Sequence, residues 1–171
     1  MRGVFIMGAT IKPVLDSPIT VANYLFHLQP DISPIKLQKA LYFLFAYYGG
    51  FYSSTSVEGE SEGVSNPSIL FEAKFEAWKY GPVIREIYHL NKEGTLGQPE
   101  EVQKAVVALN ECNEAKSFMD DLFFQINSVS DFSLVERSHQ DDAWKVAFDS
   151  DETYKYMDNL AIIAEYKEKY I

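Results

Sequence analysis

Cysteine is nearly absent from this chain of 171 residues: Cys112 stands alone. No intrachain disulfide can close and no cysteine pair can hold zinc, a pattern that fits a reducing compartment. The three histidines, His27, His89 and His139, are isolated in sequence, and no His-Glu-x-x-His is present. Phosphate-cradling loops of the Gly-x-x-x-x-Gly-Lys or Gly-x-Gly-x-x-Gly type are also missing. The glycine-bearing stretch 59–63 is interleaved with Glu58, Glu60 and Glu62, which repel phosphate. The acidic runs Asp141-Asp142 and Asp149-Ser150-Asp151-Glu152 lack a calcium-loop pattern, so solvated surface is the favoured reading. The expectation is no metal and no cofactor. No apolar run approaches the roughly 20 residues that span a bilayer. Met1 to Leu15 carries one Arg and a short apolar patch, Val4 to Met7, but neither the apolar core nor the cleavage site of a secretion signal. It reads as an N-terminal extension (1–16), a short strand or a tail, with Met7 an alternative initiator. A cytoplasmic location with no membrane partner is expected.

Positive charge is scarce as well. Fifteen Lys/Arg face twenty-five Asp/Glu, a net charge of −10. Residues 1–85 are balanced at seven of each sign, while residues 86–171 hold eight basic and eighteen acidic residues. Direct nucleic-acid binding is disfavoured, because phosphate contacts need a basic surface. The acidic half can steer a basic partner; the simpler reading, which is favoured, is that it keeps the chain soluble.

What is abundant is aromatic: 11 Tyr and 12 Phe. Such rings bring large burial areas and favour a folded chain. The length suits one domain of roughly 100–200 residues, here 1–171 with a core over about 17–170. Ser17-Pro18 and Ser33-Pro34 each read as helix cap and first helical position. The first opens a helix with Val21, Tyr24, Leu25 and Leu28 on one face, closed by Pro30. The second opens Ile35 to Tyr48, apolar nearly all round and therefore buried; Gly49-Gly50 is expected to end it. Residues 53–68, rich in Ser, Glu and Gly, read as a surface loop. Leu70 to Trp78 suggests one or two short strands. Pro82 is expected to open the next helix, with Val83, Ile87 and Leu90 inward. Helical spacing returns from Pro99 through Cys112 and again through Phe118, Leu122 and Ile126. Ser133 is the expected cap of a short helix to Glu136, Trp144 to Phe148 forms another, and Asp158 caps the last, Leu160 to Tyr170. The fold class predicted is mainly α, a single compact domain of about six or seven helices with at most a two- or three-strand β element.

Three blocks stand out. They are Ser33-Pro34-Ile35-Lys36-Leu37-Gln38-Lys39-Ala40-Leu41-Tyr42-Phe43; Phe75-Glu76-Ala77-Trp78-Lys79-Tyr80-Gly81-Pro82-Val83 followed by Tyr88; and Leu134-Val135 through Ser138-His139 to Trp144. In this order and spacing they resemble the Panacea domain, a family of phage-associated proteins that includes the SocA proteolytic adaptor. The resemblance implies a mainly helical domain and one of two tasks. One is an antitoxin that binds and silences a toxin encoded next door. The other is a SocA-like adaptor that presents a toxin to a protease. Some relatives add a DNA-binding segment; no helix-turn-helix addition is visible here. The N-terminal extension and the 53–68 loop also depart from the compact family pattern.

Within the blocks, Lys36 and Lys39 lie near a helix start, where a cation gains nothing from the dipole. They call for another partner, such as a carboxylate, an internal or solvated setting being favoured over a bound protein. Trp78 is read as core rather than as an interface anchor, and Gly81-Pro82 as structural. Lys79 and Tyr80 flank that turn and suit contact with a partner. Ser138, His139, Asp141 and Asp142 supply the residue types of a hydrolase, but adjacent positions do not make a triad and the Gly-x-Ser-x-Gly elbow is missing. His139 is expected instead to bond backbone and pack near Trp144. The candidate partner-binding residues, chosen by exposure and chemistry, are Lys36, Lys39, Lys79, Tyr80, Arg85, His139, Asp141 and Asp142. No catalytic residue is assigned. The leading expectation is a non-enzymatic antitoxin acting by stoichiometric protein contact, salt-sensitive if the acidic half meets a basic toxin. The alternatives are a protease adaptor tethered by the 53–68 loop or the N-terminal tail, a small hydrolase using His139, and an antitoxin by ancestry alone.

Overall fold

The computed structural model describes residues 4–6, 9–54 and 68–171. The chain is mainly α. Short strands β1 (Val4–Ile6) and β2 (Ala9–Ile11) pair antiparallel and precede α1 (Pro18–Leu28) and α2 (Pro34–Ser54). The hairpin of β3 (Phe75–Trp78) and β4 (Gly81–Ile84) follows, and then α3 (Arg85–Lys92), α4 (Pro99–Asn110), α5 (Asn113–Asn127), α6 (Asp131–Ser138), α7 (Asp142–Phe148) and α8 (Asn159–Lys169). The described residues thus hold eight helices, one beyond the upper expected count, because a break at Glu111-Cys112 divides α4 from α5. None of the helices is long and apolar enough to cross a membrane. Met7 and residues 55–67, which include most of the expected surface loop, lie outside the described residues.

Local chemistry sets several helix starts. The Ser17 hydroxyl accepts from Ile19 N–H at 2.9 Å, and the Ser33 hydroxyl from Lys36 N–H at 3.0 Å. Asp158 accepts from Leu160 and Ala161 N–H. The cap of α6 is Ser130, not Ser133: its hydroxyl accepts from Ser133 N–H at 3.1 Å.

α2 is the central rod. Leu37, Ala40, Leu41, Tyr42, Leu44 and Phe45 are wholly buried, and each large apolar side chain among them contributes about 1.5–3 kcal/mol on burial. Gly49-Gly50 does not end this helix, which runs on to Ser54. The pair serves close packing instead. A Cβ on Gly49 would lie 2.6 Å from Ile163 Cγ1, and one on Gly50 would lie 3.0 Å from the backbone nitrogen of Lys167. The two glycines let α8 approach α2 at backbone distance.

Pro82 opens no helix. It sits in β4, where Trp78 pairs with Gly81, Ala77 with Pro82 and Phe75 with Ile84; α3 begins at Arg85. The segment before α8 adds a third row to this sheet. Ala77 N–H donates to Lys155 O at 2.8 Å and Met157 N–H to Phe75 O at 2.8 Å, with Glu76 bridged to Tyr156. Side chains alternate across a pleated sheet. Phe75, Ala77, Ile84 and Met157 are buried on the core face. Glu76, Trp78 and Tyr156 take the outer one.

Candidate partner-binding surface

The turn between β3 and β4 is held from below by side chains of three helices. Gln38 of α2 accepts from Ile84 N–H at 2.9 Å and donates to Ile84 O at 3.2 Å. Lys39 Nζ, one turn position further on, donates to Pro82 O at 2.8 Å. The His139 ring, just after α6, lies with Nε2 2.9 Å from Lys79 O, and the Trp144 indole of α7 donates to Trp78 O at 3.1 Å. His139 and Trp144 stack with centroids 4.2 Å apart. The three sequence blocks therefore meet at one place: the second is the hairpin, and the first and third clamp it. Gln38 and Lys39 also satisfy the free edge of β4, which closes it to strand addition.

Gly81 sits at the centre of the clamp with φ +105°, a conformation costly for any residue with a Cβ. A Cβ there would lie 2.5 Å from Ser138 Oγ and 2.7 Å from Lys39 Cε. Lys39 is 1% exposed, and burial pushes its ammonium down to about 7.

Above this clamp the outer face is aromatic and cationic. The Arg85 guanidinium grips Glu76 with two bonds, Nε to Oε2 at 2.9 Å and Nη2 to Oε1 at 2.7 Å. These bonds hold the Glu76 carboxyl below its ordinary range. Arg85 lies 5.2 Å from the Trp78 ring centroid and 5.4 Å from that of Tyr154, so it is sandwiched between two rings. Tyr88 packs edge-on to Trp78 at 5.2 Å, and Tyr154 stacks on Tyr156 at 5.8 Å. Tyr80, at the turn, is 55% exposed.

Of the sequence candidates, the fold brings Lys79, Tyr80 and Arg85 together on or beside this face. His139 supports it from behind through Lys79 O. Lys36 is remote and donates to Asn127 O at 3.0 Å at the end of α5. The partner of Lys39 is internal, but it is the Pro82 carbonyl and not a carboxylate. Lys39 is therefore interior and cannot itself meet a partner. Asp141, read from sequence as solvated surface, is wholly buried. Its carboxylate accepts from Tyr42 at 2.6 Å, Tyr166 at 2.5 Å and Arg137 at 2.8 Å. Burial and then this carboxylate hold the Tyr42 phenol well above its ordinary range. Asp141 stands at the α7 N-cap position but turns inward. Glu165 of α8 caps that helix instead, accepting from Asp142 N–H at 2.7 Å and Ala143 N–H at 3.0 Å. Asp142 is exposed and pairs with Lys169 at 2.8 Å. Trp78 is half-buried, its ring part of the outer face.

Ser138, His139 and Asp141 point to three separate partners. The Ser138 hydroxyl is wholly buried and donates to Val135 O at 2.8 Å. His139 meets Lys79 and Trp144, and Asp141 meets the two phenols and Arg137. Nucleophile, base and carboxylate are not aligned in series as a hydrolytic triad requires. Among the described residues no group of three or more His, Cys, Asp or Glu is placed to hold a metal.

Sequence reasoning missed Tyr154 and Tyr156. Their spacing of two, in a stretch without helical period, is the signal of an extended segment with both rings on one face.

Residues 64–145 match the family model described as "Antitoxin SocA-like, Panacea domain". The match contains the second and third sequence blocks and leaves the first, Ser33–Phe43, outside it. No curated protein and no solved structure matches the chain.

Proposed function

We propose that this chain, whose residues 64–145 match the SocA-like Panacea antitoxin domain, is an antitoxin-type protein that neutralises a toxin encoded by an adjacent gene through direct, stoichiometric binding. The β3–β4 turn and its outer face form the contact surface, with Lys79, Tyr80 and Arg85 as the contacting residues. The observation that carries this reading is the division of labour at the turn. Its carbonyls are fixed by Lys39, His139 and Trp144 from inside, while the side chains of Lys79 and Tyr80 face solvent. A ring held out on a rigid turn contributes to binding with little ordering cost, and it contributes little to the core.

The test is co-expression with the neighbouring gene's product. The wild-type chain is expected to restore growth and to co-purify with the toxin at equal stoichiometry, less well at high salt. Lys79→Ala/Tyr80→Ala, with an unchanged melting temperature, is expected to lose both. Rescue by the wild type without a stable complex, accompanied by a shortened toxin half-life, would replace neutralisation with delivery to a protease.

A further inference from the structure

The outer face is unusual in how its rings are dressed. Lys74 Nζ lies 4.8 Å from the centroid of Tyr156, Lys79 Nζ 5.6 Å from Tyr80 and Lys92 Nζ 5.6 Å from Tyr88. With Arg85 between Trp78 and Tyr154, every one of these rings has a cation against it. The ring quadrupole attracts the cation, which places it beside an apolar plate. The three lysines are exposed, and among the described residues none has an ion-pair partner. Glu76, the carboxylate in the middle, is 4% exposed and already committed to Arg85. Glu72 and Glu86 line the same cleft as Lys74, Arg85 and Tyr156 without an ion pair to Lys74, whose charge adds to that of Arg85 in favouring the ionised Glu76. A chain with net charge −10 thus gathers in one patch exposed rings and three ammonium groups that, among the described residues, form no close ion pair.

We propose that this face docks a short carboxylate-bearing, aromatic- or aliphatic-containing segment of the protein partner, each carboxylate reaching a lysine while its apolar neighbour lies on the adjacent ring. The inference rests on the binding reading above and names the chemistry of the partner's contact. The complementarity is local: a segment of a few residues meets only the cationic patch. A nucleic acid needs a basic surface longer than this patch, and the chain as a whole carries a net charge of −10. Strand addition at the β4 edge is not the mode, since Gln38 and Lys39 already occupy that edge.

The probe is a fluorescein-labelled Glu/Tyr copolymer, titrated with the full chain alongside a Lys/Tyr copolymer and a single-stranded oligonucleotide. The Glu/Tyr polymer is expected to bind best. Lys74→Ala/Lys79→Ala/Lys92→Ala is expected to weaken it about ten-fold or more. The control of equal charge change, Lys104→Ala/Lys116→Ala/Lys167→Ala, is expected to weaken it by no more than about two-fold. Equal losses in the two triple variants, no binding of the Glu/Tyr polymer, or tighter binding of the oligonucleotide would each overturn the proposal. Growth rescue separates this inference from the functional reading. If wild type and the first triple variant rescue equally, this face is not the docking site and neutralisation stands. If the wild type fails to rescue while the copolymer discriminates between the triples, the face stands and neutralisation does not.

Discussion

The Nζ of Lys39 lies 2.8 Å from the carbonyl oxygen of Pro82, and among the described residues this buried ammonium has no carboxylate in ion-pair contact. A Cβ on Gly81 would lie 3.2 Å from this Nζ and 2.5 Å from Ser138 Oγ, so the turn backbone packs directly against the ammonium. The fold thus stores a desolvated cation under the turn that presents Tyr80.

Stability should therefore depend on pH through Lys39. Burial lowers its folded pKa to about 7, below the unfolded lysine value. Between these two values the unfolded chain binds the extra proton, so stability rises with pH across that window. The burial penalty on the charged form is fully present below pH 7. The slope from one such group is at most about 1.4 kcal/mol per pH unit. Urea midpoints at pH 7, 8 and 9 should climb more steeply for the wild type than for Lys39→Met. Parallel slopes would show that the buried ammonium does not titrate there.

Asp141→Asn should be among the most damaging polar changes. It leaves Arg137 without its carboxylate and weakens two charge-assisted phenol bonds. Breaking a buried pair in this way costs about 3–5 kcal/mol. Tyr42→Phe, which removes only one bond to the same carboxylate, should cost about 1.5–3 kcal/mol. Chemical denaturation of both variants gives the comparison, and a loss in Asp141→Asn no larger than in Tyr42→Phe would refute the shared-hub role.

Gly50→Ala should destabilise the chain even though alanine favours a helix interior by about 1 kcal/mol. The added Cβ would lie 3.0 Å from the Lys167 backbone nitrogen and 3.0 Å from Tyr166 Cβ, and backbone cannot step aside cheaply. Overpacking of this kind costs about 1–3 kcal/mol. A melting temperature equal to or above the wild type would mean that α8 slides to accommodate the methyl group.

Trp144→Phe removes the donor to Trp78 O while keeping an apolar ring. Amide exchange in β3 and β4 should quicken while α1 and α4 keep their protection. If the proposed neutralisation uses this turn, binding of the co-expressed neighbouring gene product should weaken in step with the exchange, because a looser turn must be ordered on binding. Unchanged exchange at the turn would remove Trp144 from the clamp.

Where the sequence was legible, the chemistry was local. Ser17-Pro18, Ser33-Pro34 and Asp158 cap their own helices through atoms two or three residues away, and the apolar stripe of α2 announces its burial. His139, expected to bond backbone near Trp144 because adjacent Ser, His and Asp make no triad, lies 2.9 Å from Lys79 O and stacks on Trp144.

Three misreadings share a cause. Gly49-Gly50 has the chemistry of a helix end, but its use is set by Ile163, Tyr166 and Lys167 from the far end of the chain. Gly81-Pro82 suits a helix start as well as a strand, and pairing with β3 chose the strand. Asp141 next to Asp142 looks like solvated surface until two phenols and an arginine converge on it. The sequence by itself determined the helical class, the starts of α1, α2, α4 and α8 and the three blocks, since propensity, capping and periodicity act within a few residues. Only the tertiary structure decided that the blocks form one clamp, which carboxylate is buried, and that Tyr154 and Tyr156 join Trp78 and Arg85 on one face. Those outcomes depend on contacts between residues distant in sequence, and no local pattern encodes which of them will meet.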